Sequence, residues 1–308
     1  MRVDIVVVSY NTRDLLAACL NSIAETCGRQ GGVRTIVVDN ASTDGSAAMV
    51  RRISPRIHLI EMDRNMGFGA ANNRGIAAGD APYILLLNSD AELAPGCLHH
   101  LVQTMEAHPD SIAVGPRLSY PGGLFHPSCR RFPSVLRSFW NTAGLHVRFP
   151  RLLKRLHDWL DEDEHVDGRV VDMVSGACVL VRRDYLNAIG GFDEDVFLYE
   201  EEADIFLPAR RRRKRVYFCG QAHAIHHHGA SSGEIQSSGT ALLHRYRSKY
   251  FVYRKHRGRI RARLLYWSDR IPFAISRFVA WLRRRTTPAT RMATFSRLGF
   301  RESFRPIK

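Results

Sequence analysis

A chain of 308 residues, 45% hydrophobic and 24% charged, has a globular make-up, which excludes wholesale disorder, a collagen repeat and a coiled-coil rod. Its length allows one large domain or two modest ones, with a core that needs no disulfide staples. The net charge of +15 is lopsided: residues 1–110 hold 9 Lys/Arg against 12 Asp/Glu, residues 111–204 hold 11 against 15, and residues 205–308 hold 25 against 3.

Val3–Val8 is a short β-branched run, as a buried parallel strand should be, and too short for a signal peptide. Leu15, Leu16, Cys19, Leu20 and Ile23 follow at helical spacing. The strand signal returns at Thr35–Val38, Ile57–Glu61, Tyr83–Leu87 and Ile112–Gly115. Between these runs lie helical patterns over Ser42–Arg52, Ala70–Ala78 and Leu98–Ala107. This is the β-α alternation of a doubly wound α/β sheet, in which ligands bind beyond the carboxyl ends of the strands. Ser9-Tyr10-Asn11, Asp39-Asn40 and Asn88-Ser89-Asp90 fall at those ends. Residues 117–170 predict loops and one or two covering helices. Met173–Val181 predicts a strand interrupted by Gly176, and Arg183–Ile189 a short helix. Glu200–Arg213 predicts a helix, Val216–Cys219 a strand and 221–233 a His/Ser/Gly loop. From about Thr240 the pattern is helical and cationic. The six cysteines form no C-x-x-C pair, so a zinc ribbon is disfavoured and a reducing compartment is expected.

Four constellations carry chemistry. Asp39, directly after a buried strand, suits a ribose hydroxyl or a base N–H, whereas Asp44 and Ser46 read equally as a turn and helix cap. Asp90, ending an apolar strand with no adjacent cation, suits a hard divalent ion. Glu200-Glu201-Glu202-Ala203-Asp204 crowds four carboxylates. Such crowding either marks a solvated face or pushes one pKa toward neutrality, as a general base needs. His226-His227-His228 cannot all face one site on an extended chain.

Together these motifs resemble the inverting family 2 glycosyltransferases. The carriers are Ser9-Tyr10-Asn11, Asp39-Asn40-Ala-Ser42-Thr-Asp44-Gly45-Ser46 and Asn65-Met-Gly67-Phe68-Gly69-Ala-Ala-Asn72-Asn73. Asn88-Ser89-Asp90, Gly190-Gly191-Phe192-Asp193-Glu194, the acidic run and the His loop complete the set. The pattern is most similar to the rhamnosyltransferase-like branch. The resemblance, which runs from Val3 to about Ser232, implies a GT-A-type Rossmann-like mixed sheet flanked by helices, and the cationic helical pattern beyond it reads as a C-terminal basic helical extension. It divides the chain into a nucleotide-sugar glycosyltransferase domain over 1–235 and the extension over 236–308. It also implies roles. Asp39 would contact uracil or thymine. Ser9, Tyr10, Asn11, Asn65, Gly67, Asn88 and Ser89 would line the nucleotide-sugar side. Asp90, the last position of a D-x-D motif whose first is here Asn88, would hold Mg²⁺ or Mn²⁺ with His226. Glu202 would be the base, with Glu201 in reserve. Gly176, Asp193 and Asp204 would lie toward the acceptor.

The donor implied is a dTDP- or UDP-sugar, dTDP-rhamnose first, and the acceptor a lipid-linked or polysaccharide glycan of the cell envelope. The alternative is a catalytically silent relative that binds nucleotide-sugar or glycan. Over 244–297 the longest charge-free segment is Ile271–Ser276, far below the roughly 20 residues a membrane span needs. Its interleaved arginines and aromatics suit an anionic lipid interface, and with it a cytoplasmic, peripheral location on the inner membrane face. Packing on the body or an oligomer contact is the second reading of the tail. Nucleic acid is the remote third, disfavoured by the acidic first two-thirds. Arg210–Arg215 reads as an exposed helix end or as a phosphate contact.

Overall fold

A computed structural model describes residues 2–27, 31–143, 145, 156–227, 239–282 and 303. The strands are β1 (Val3–Ser9), β2 (Val33–Asp39), β3 (His58–Glu61), β4 (Tyr83–Asn88), β5 (Ala91–Leu93), β6 (Ser111–Ser119), β7 (Phe125–His126), β8 (Cys129–Arg130), β9 (Val170–Val171), β10 (Met173–Val174), β11 (Cys178–Arg182) and β12 (Arg215–His226). The helices are α1 (Arg13–Cys27), α2 (Ser46–Ile53), α3 (Phe68–Ala77), α4 (Cys97–Ala107), α5 (Val135–Thr142), α6 (Arg183–Ile189), α7 (Glu201–Arg211), α8 (Gly239–Arg257) and α9 (Arg259–Leu282).

The main sheet runs β3-β2-β1-β4-β11-β6-β12-β5, with β7 beside β6, β9 beside β12, and β8 and β10 as a separate pair. β1 is parallel to β2 and β4, whereas β11 is antiparallel to both β4 and β6. The sheet is therefore mixed. Its side chains alternate between two cores, as the two-residue period of a strand requires. Ile5, Val7, Leu85 and Leu87 face α1, α2 and α4, while Val6, Ile84 and Leu86 face α3, α6, α7 and α8. Each fully buried Leu, Ile or Val contributes about 1.5–3 kcal/mol to holding these layers.

Register then positions the chemistry. Ser9 pairs with Asp39, and Val8 with Asn88, so all three polar strand ends reach the same edge. Most predicted elements appear within a few residues of their expected bounds. Two differ in a way that matters. The strand expected over Met173–Val181 is split at Ser175–Ala177 into β10 and β11. β12 extends to His226 by pairing with β6 and β5 across a bulge between Cys219 and His223. The first half of the predicted His loop is thus strand. His228, Gly229, Ser231 and Ser232 lie outside the described residues.

α8 and α9 pack on the body. Phe251 and Val252 enter the core beneath α7, and Tyr250 and Tyr266 meet edge-on between the two helices, their ring centroids 5.4 Å apart. All six cysteines are free thiols buried within the fold. Among the described residues no helix is long and apolar enough to cross a membrane.

Candidate active site

A cleft of about 580 Å³ opens at the carboxyl ends of β1 and β4, between the N-terminus of α7 and the end of β12. Tyr10, Asn65, Gly67, Asn88, Ser89, Asp90, Gly176, Glu201, Glu202 and His226, all singled out from sequence, line it.

Three other predicted residues support the cleft without lining it. Ser9 is fully buried, and its hydroxyl lies 3.0 Å from that of Thr12, which donates to Ser89 Oγ at 2.8 Å. Asn11, held in the left-handed region at φ 53°, accepts from the Thr43 N–H at 2.8 Å and so staples the β1 loop to the β2 loop. Asp39 accepts from the Ser42 N–H at 3.0 Å through Oδ2, and its Oδ1 is buried without a hydrogen-bond partner among the described residues. Its neighbour Asn40 does line the cleft. Asn40 donates to Asn65 Oδ1 at 2.9 Å and accepts from the Met66 N–H at 2.9 Å, which fixes the 65–67 turn. Gly67 has φ +85°, and a Cβ there would fall 2.5 Å from the Phe197 carbonyl oxygen, so only glycine fits.

α7 begins abruptly because Tyr199 and Glu200 both adopt left-handed conformations, φ 69° and 68°. Such strain in non-glycine residues concentrates at functional sites. This turn aims the three following carboxylates differently. Glu200 is buried and meets the Arg130 guanidinium at 2.7 Å. Burial opposes its ionisation, but the charge and hydrogen bond of Arg130, with the charges of Arg245 and Lys249, together outweigh burial and hold its carboxyl below the ordinary range. Glu201 is buried, and no cation stands beside it among the described residues. Burial first, then the Glu202 charge, pushes its pKa well above the usual carboxylate value. Glu202 is half-buried, and its Oε1 accepts the Gly176 N–H at 2.9 Å.

Opposite them, alternation along β12 separates the histidines. His226 turns inward, with Nε2 3.3 Å from Asp90 Oδ1 and Nδ1 3.3 Å from His126 Nε2. His227 turns outward to Glu92 at 2.6 Å. Among the described residues, no three His, Cys, Asp or Glu side chains cluster at metal-binding distances. The donors present are the Asp90 carboxylate, the His226 imidazole and the Asn88 Oδ1, an oxygen buried without a hydrogen-bond partner among the described residues. This set fits a hard or borderline divalent cation that completes its shell with phosphate oxygens, as Mg²⁺ and Mn²⁺ do.

Two acceptor-side expectations need correction. Asp193 and Asp204 do not line the cleft. Lys255 of α8 bridges them, 2.7 Å from Asp193 Oδ2 and 2.9 Å from Asp204 Oδ1, and His256 adds a 2.7 Å contact to Asp204. Both carboxylates therefore fasten the extension to the body. The Arg210–Arg215 run is likewise absent from the lining. Sequence reasoning missed Asn40 as a lining residue, together with Arg130, His126 and Arg245. Asn40 stood in a recognised motif. The others lie in segments with no periodic signal or in the cationic tail.

Residues 4–190 match the family model described as Glycosyl transferase family 2. The chain belongs to this family. It is 30% identical over 279 residues to the N-acetylglucosaminyl-diphospho-decaprenol L-rhamnosyltransferase of Mycobacterium tuberculosis, covering 84% of this chain and 87% of that one. In fold it resembles the mannosyltransferase PcManGT from Pyrobaculum calidifontis, solved with GDP-Man and Mn²⁺. The TM-score is 0.57 at 17% identity, over 96% of this chain and 79% of that one. It also resembles S. aureus TarS residues 1–349 in complex with UDP-GlcNAc, with TM-score 0.57 at 15% identity, over 86% and 70% of the two chains. The family 2 chain thus has the GT-A fold and is a glycosyltransferase.

Proposed function

We propose that this glycosyltransferase moves one sugar, with inversion, from a nucleotide donor to a lipid-linked or polysaccharide acceptor in cell-envelope glycan synthesis. dTDP-rhamnose is the first candidate donor, ahead of other dTDP- and UDP-sugars, on the strength of the mycobacterial relative's name and its match along most of both chains. The observation that carries the chemistry is that Glu202 and Asp90 line one cleft, with Glu202 half-exposed and oriented by the Gly176 N–H.

Glu202 accepts the proton of an acceptor hydroxyl as that oxygen attacks the anomeric carbon. The bond from that carbon to the diphosphate oxygen breaks, and its electron pair leaves with the nucleoside diphosphate. One displacement from the opposite face inverts the anomeric centre. Burial first, and then the Glu202 charge, raise the Glu201 pKa, which disfavours Glu201 as the base. Asp39 lies behind the cleft lining, its Oδ1 has no hydrogen-bond partner among the described residues, and the family resemblance makes it the acceptor for a pyrimidine N–H. Asp90, His226 and Asn88 would hold the Mg²⁺ or Mn²⁺, which supplies positive charge to the leaving diphosphate. In this reading residues 1–235 carry the chemistry, and 236–308 set the enzyme peripherally at the cytoplasmic membrane face, where a lipid-linked acceptor resides.

The test is a panel of nucleotide-sugars with Mn²⁺, read as nucleoside diphosphate release. Release from dTDP-rhamnose should exceed that from the other donors. Glu202→Gln should lower transfer by about 10²–10⁴-fold while donor affinity is kept. Normal turnover in that variant would remove Glu202 as the base. A wild-type protein that binds donors and never releases nucleoside diphosphate would be a silent relative.

A further inference from the structure

α9 has two apolar faces. Ala262, Leu265 and Tyr266 are buried against α8, and Thr142 of α5 donates to the buried Asp269 at 2.9 Å. The second face is open. Ile260, Leu264, Trp267, Ile271 and Ile275 are 76%, 52%, 49%, 49% and 56% exposed. At about 100° per residue these five fall within an arc of about 80°, opposite the buried face, along about 22 Å of helix. One such side chain in water needs no explanation, but a continuous stripe does. Arg259, Arg261 and Arg263 flank it and are exposed, while Asp269, the acidic residue of this helix, is turned inward.

We propose that this outer face of α9 docks on an anionic lipid bilayer. The apolar stripe enters the boundary between headgroups and acyl chains, and the arginines rest on lipid phosphates. Charge selects this occupant. In a two-fold contact between copies, each arginine fringe would meet its own image, and like charges so juxtaposed oppose association. An anionic surface instead attracts each cation, by about 1 kcal/mol per Lys or Arg near it. The surface is separate from the cleft, although α8 joins the two, with Arg245 on the cleft and Tyr250 against α9. Its purpose, bringing the cleft to a bilayer-borne acceptor, rests on the transferase reading; its existence does not.

The full-length chain should co-sediment with phosphatidylcholine vesicles containing phosphatidylglycerol, and at least about tenfold more weakly with phosphatidylcholine alone. Raising salt from about 0.1 M to about 1 M should release it. The triple variant Leu264→Ser, Trp267→Ser, Ile271→Ser should lose at least about tenfold in vesicle affinity, since each side chain withdrawn from water is worth about 1.5–3 kcal/mol. None of the three lines the cleft, and Trp267 meets the buried cluster through an edge-on contact with Tyr266 at 5.3 Å, so nucleoside diphosphate release from dTDP-rhamnose without vesicles should stay within about twofold of the parent chain. Vesicle binding that ignores lipid charge, or that survives the triple substitution, overturns the proposal. So does a dimer in lipid-free solution that the same substitutions abolish, which would make the occupant a second copy. Failure of nucleoside diphosphate release in the parent chain would instead strike the transferase reading and leave the vesicle result standing.

Discussion

The backbone N–H of Gly176 donates to Glu202 Oε1 at 2.9 Å, across the break between β10 and β11. A Cβ at residue 176 would lie 2.8 Å from that same oxygen. The carboxylate is the flexible partner, so Gly176→Ala should push it aside rather than unfold the chain. The expected result is a fall in kcat of about 10-fold or more with donor affinity unchanged, because a misplaced catalytic group costs rate even at sub-ångström displacements. Steady-state kinetics check it, and an unchanged kcat would mean that Glu202 is not oriented from this glycine.

Glu201 and Glu202 are adjacent yet differ in surroundings. Glu201 has its pKa raised by burial, so the folded chain keeps a proton that the unfolded chain loses above about pH 4.5. Its contribution to stability therefore declines as pH rises from there through the folded-state value. Replacing Glu201 by Gln removes this decline. The change in stability caused by Glu201→Gln should be more favourable at pH 8 than at pH 4, by about 1 kcal/mol or more. Thermal melts at the two pH values decide, and equal shifts at both would contradict the raised value.

Asp90 and His226 meet at 3.3 Å in the cleft that Asn88 also lines, and Asn88 Oδ1 has no hydrogen-bond partner among the described residues. If this is where Mg²⁺ or Mn²⁺ rests, titration calorimetry of Mn²⁺ with a nucleoside diphosphate should show about tenfold or greater weakening in Asp90→Asn, and a smaller loss in His226→Gln. Chelation with EDTA should stop transfer, and restored Mn²⁺ should recover it. Undiminished Mn²⁺ affinity in Asp90→Asn would place the ion elsewhere.

Arg130 and Glu200 form a buried pair on the cleft wall, with side chains 14% and 1% exposed. Arg130→Met strands the glutamate. Removing one member of a buried pair costs about 3–5 kcal/mol. Because the Glu200 pKa is held low, its contribution is present above about pH 4.5 and lost as pH falls through the folded-state value. The destabilisation should thus be greatest near neutrality. Adding Glu200→Gln should recover more than half of it, measured by urea unfolding.

Asp204 is buried and charged, held by His256 and Lys255 of α8. Burial opposes its ionisation, but these two partners lower its pKa below the ordinary value. Asp204→Asn should cost about 1.5–3 kcal/mol, the worth of charge-assisted hydrogen bonds, and expose α8 to limited proteolysis while the sheet stays resistant. The loss should be full above about pH 4 and fade below it. If Asp204 instead met the acceptor, the variant would lose transfer without gaining protease sensitivity.

The primary sequence alone determined the layers and where polar chemistry would gather. Apolar runs, helical periods and the polar residues that end strands are local signals, so β1, β2, β4 and α6 were legible from them. So were Asp90 and Glu202, because each lies within two residues of an element boundary. Tertiary structure decided the rest. Pairing with β6 and β5 carried β12 to His226, and alternation then chose His226 over His227 for the cleft. Long-range packing brought Arg130 and His126 from an aperiodic segment to Glu200 and His226. It also drew Asp193 and Asp204 away to Lys255 and left one face of α9 open. Local periodicity reports that a side chain is apolar or charged. Which neighbour it meets depends on residues distant in the chain, and only the folded backbone brings those together.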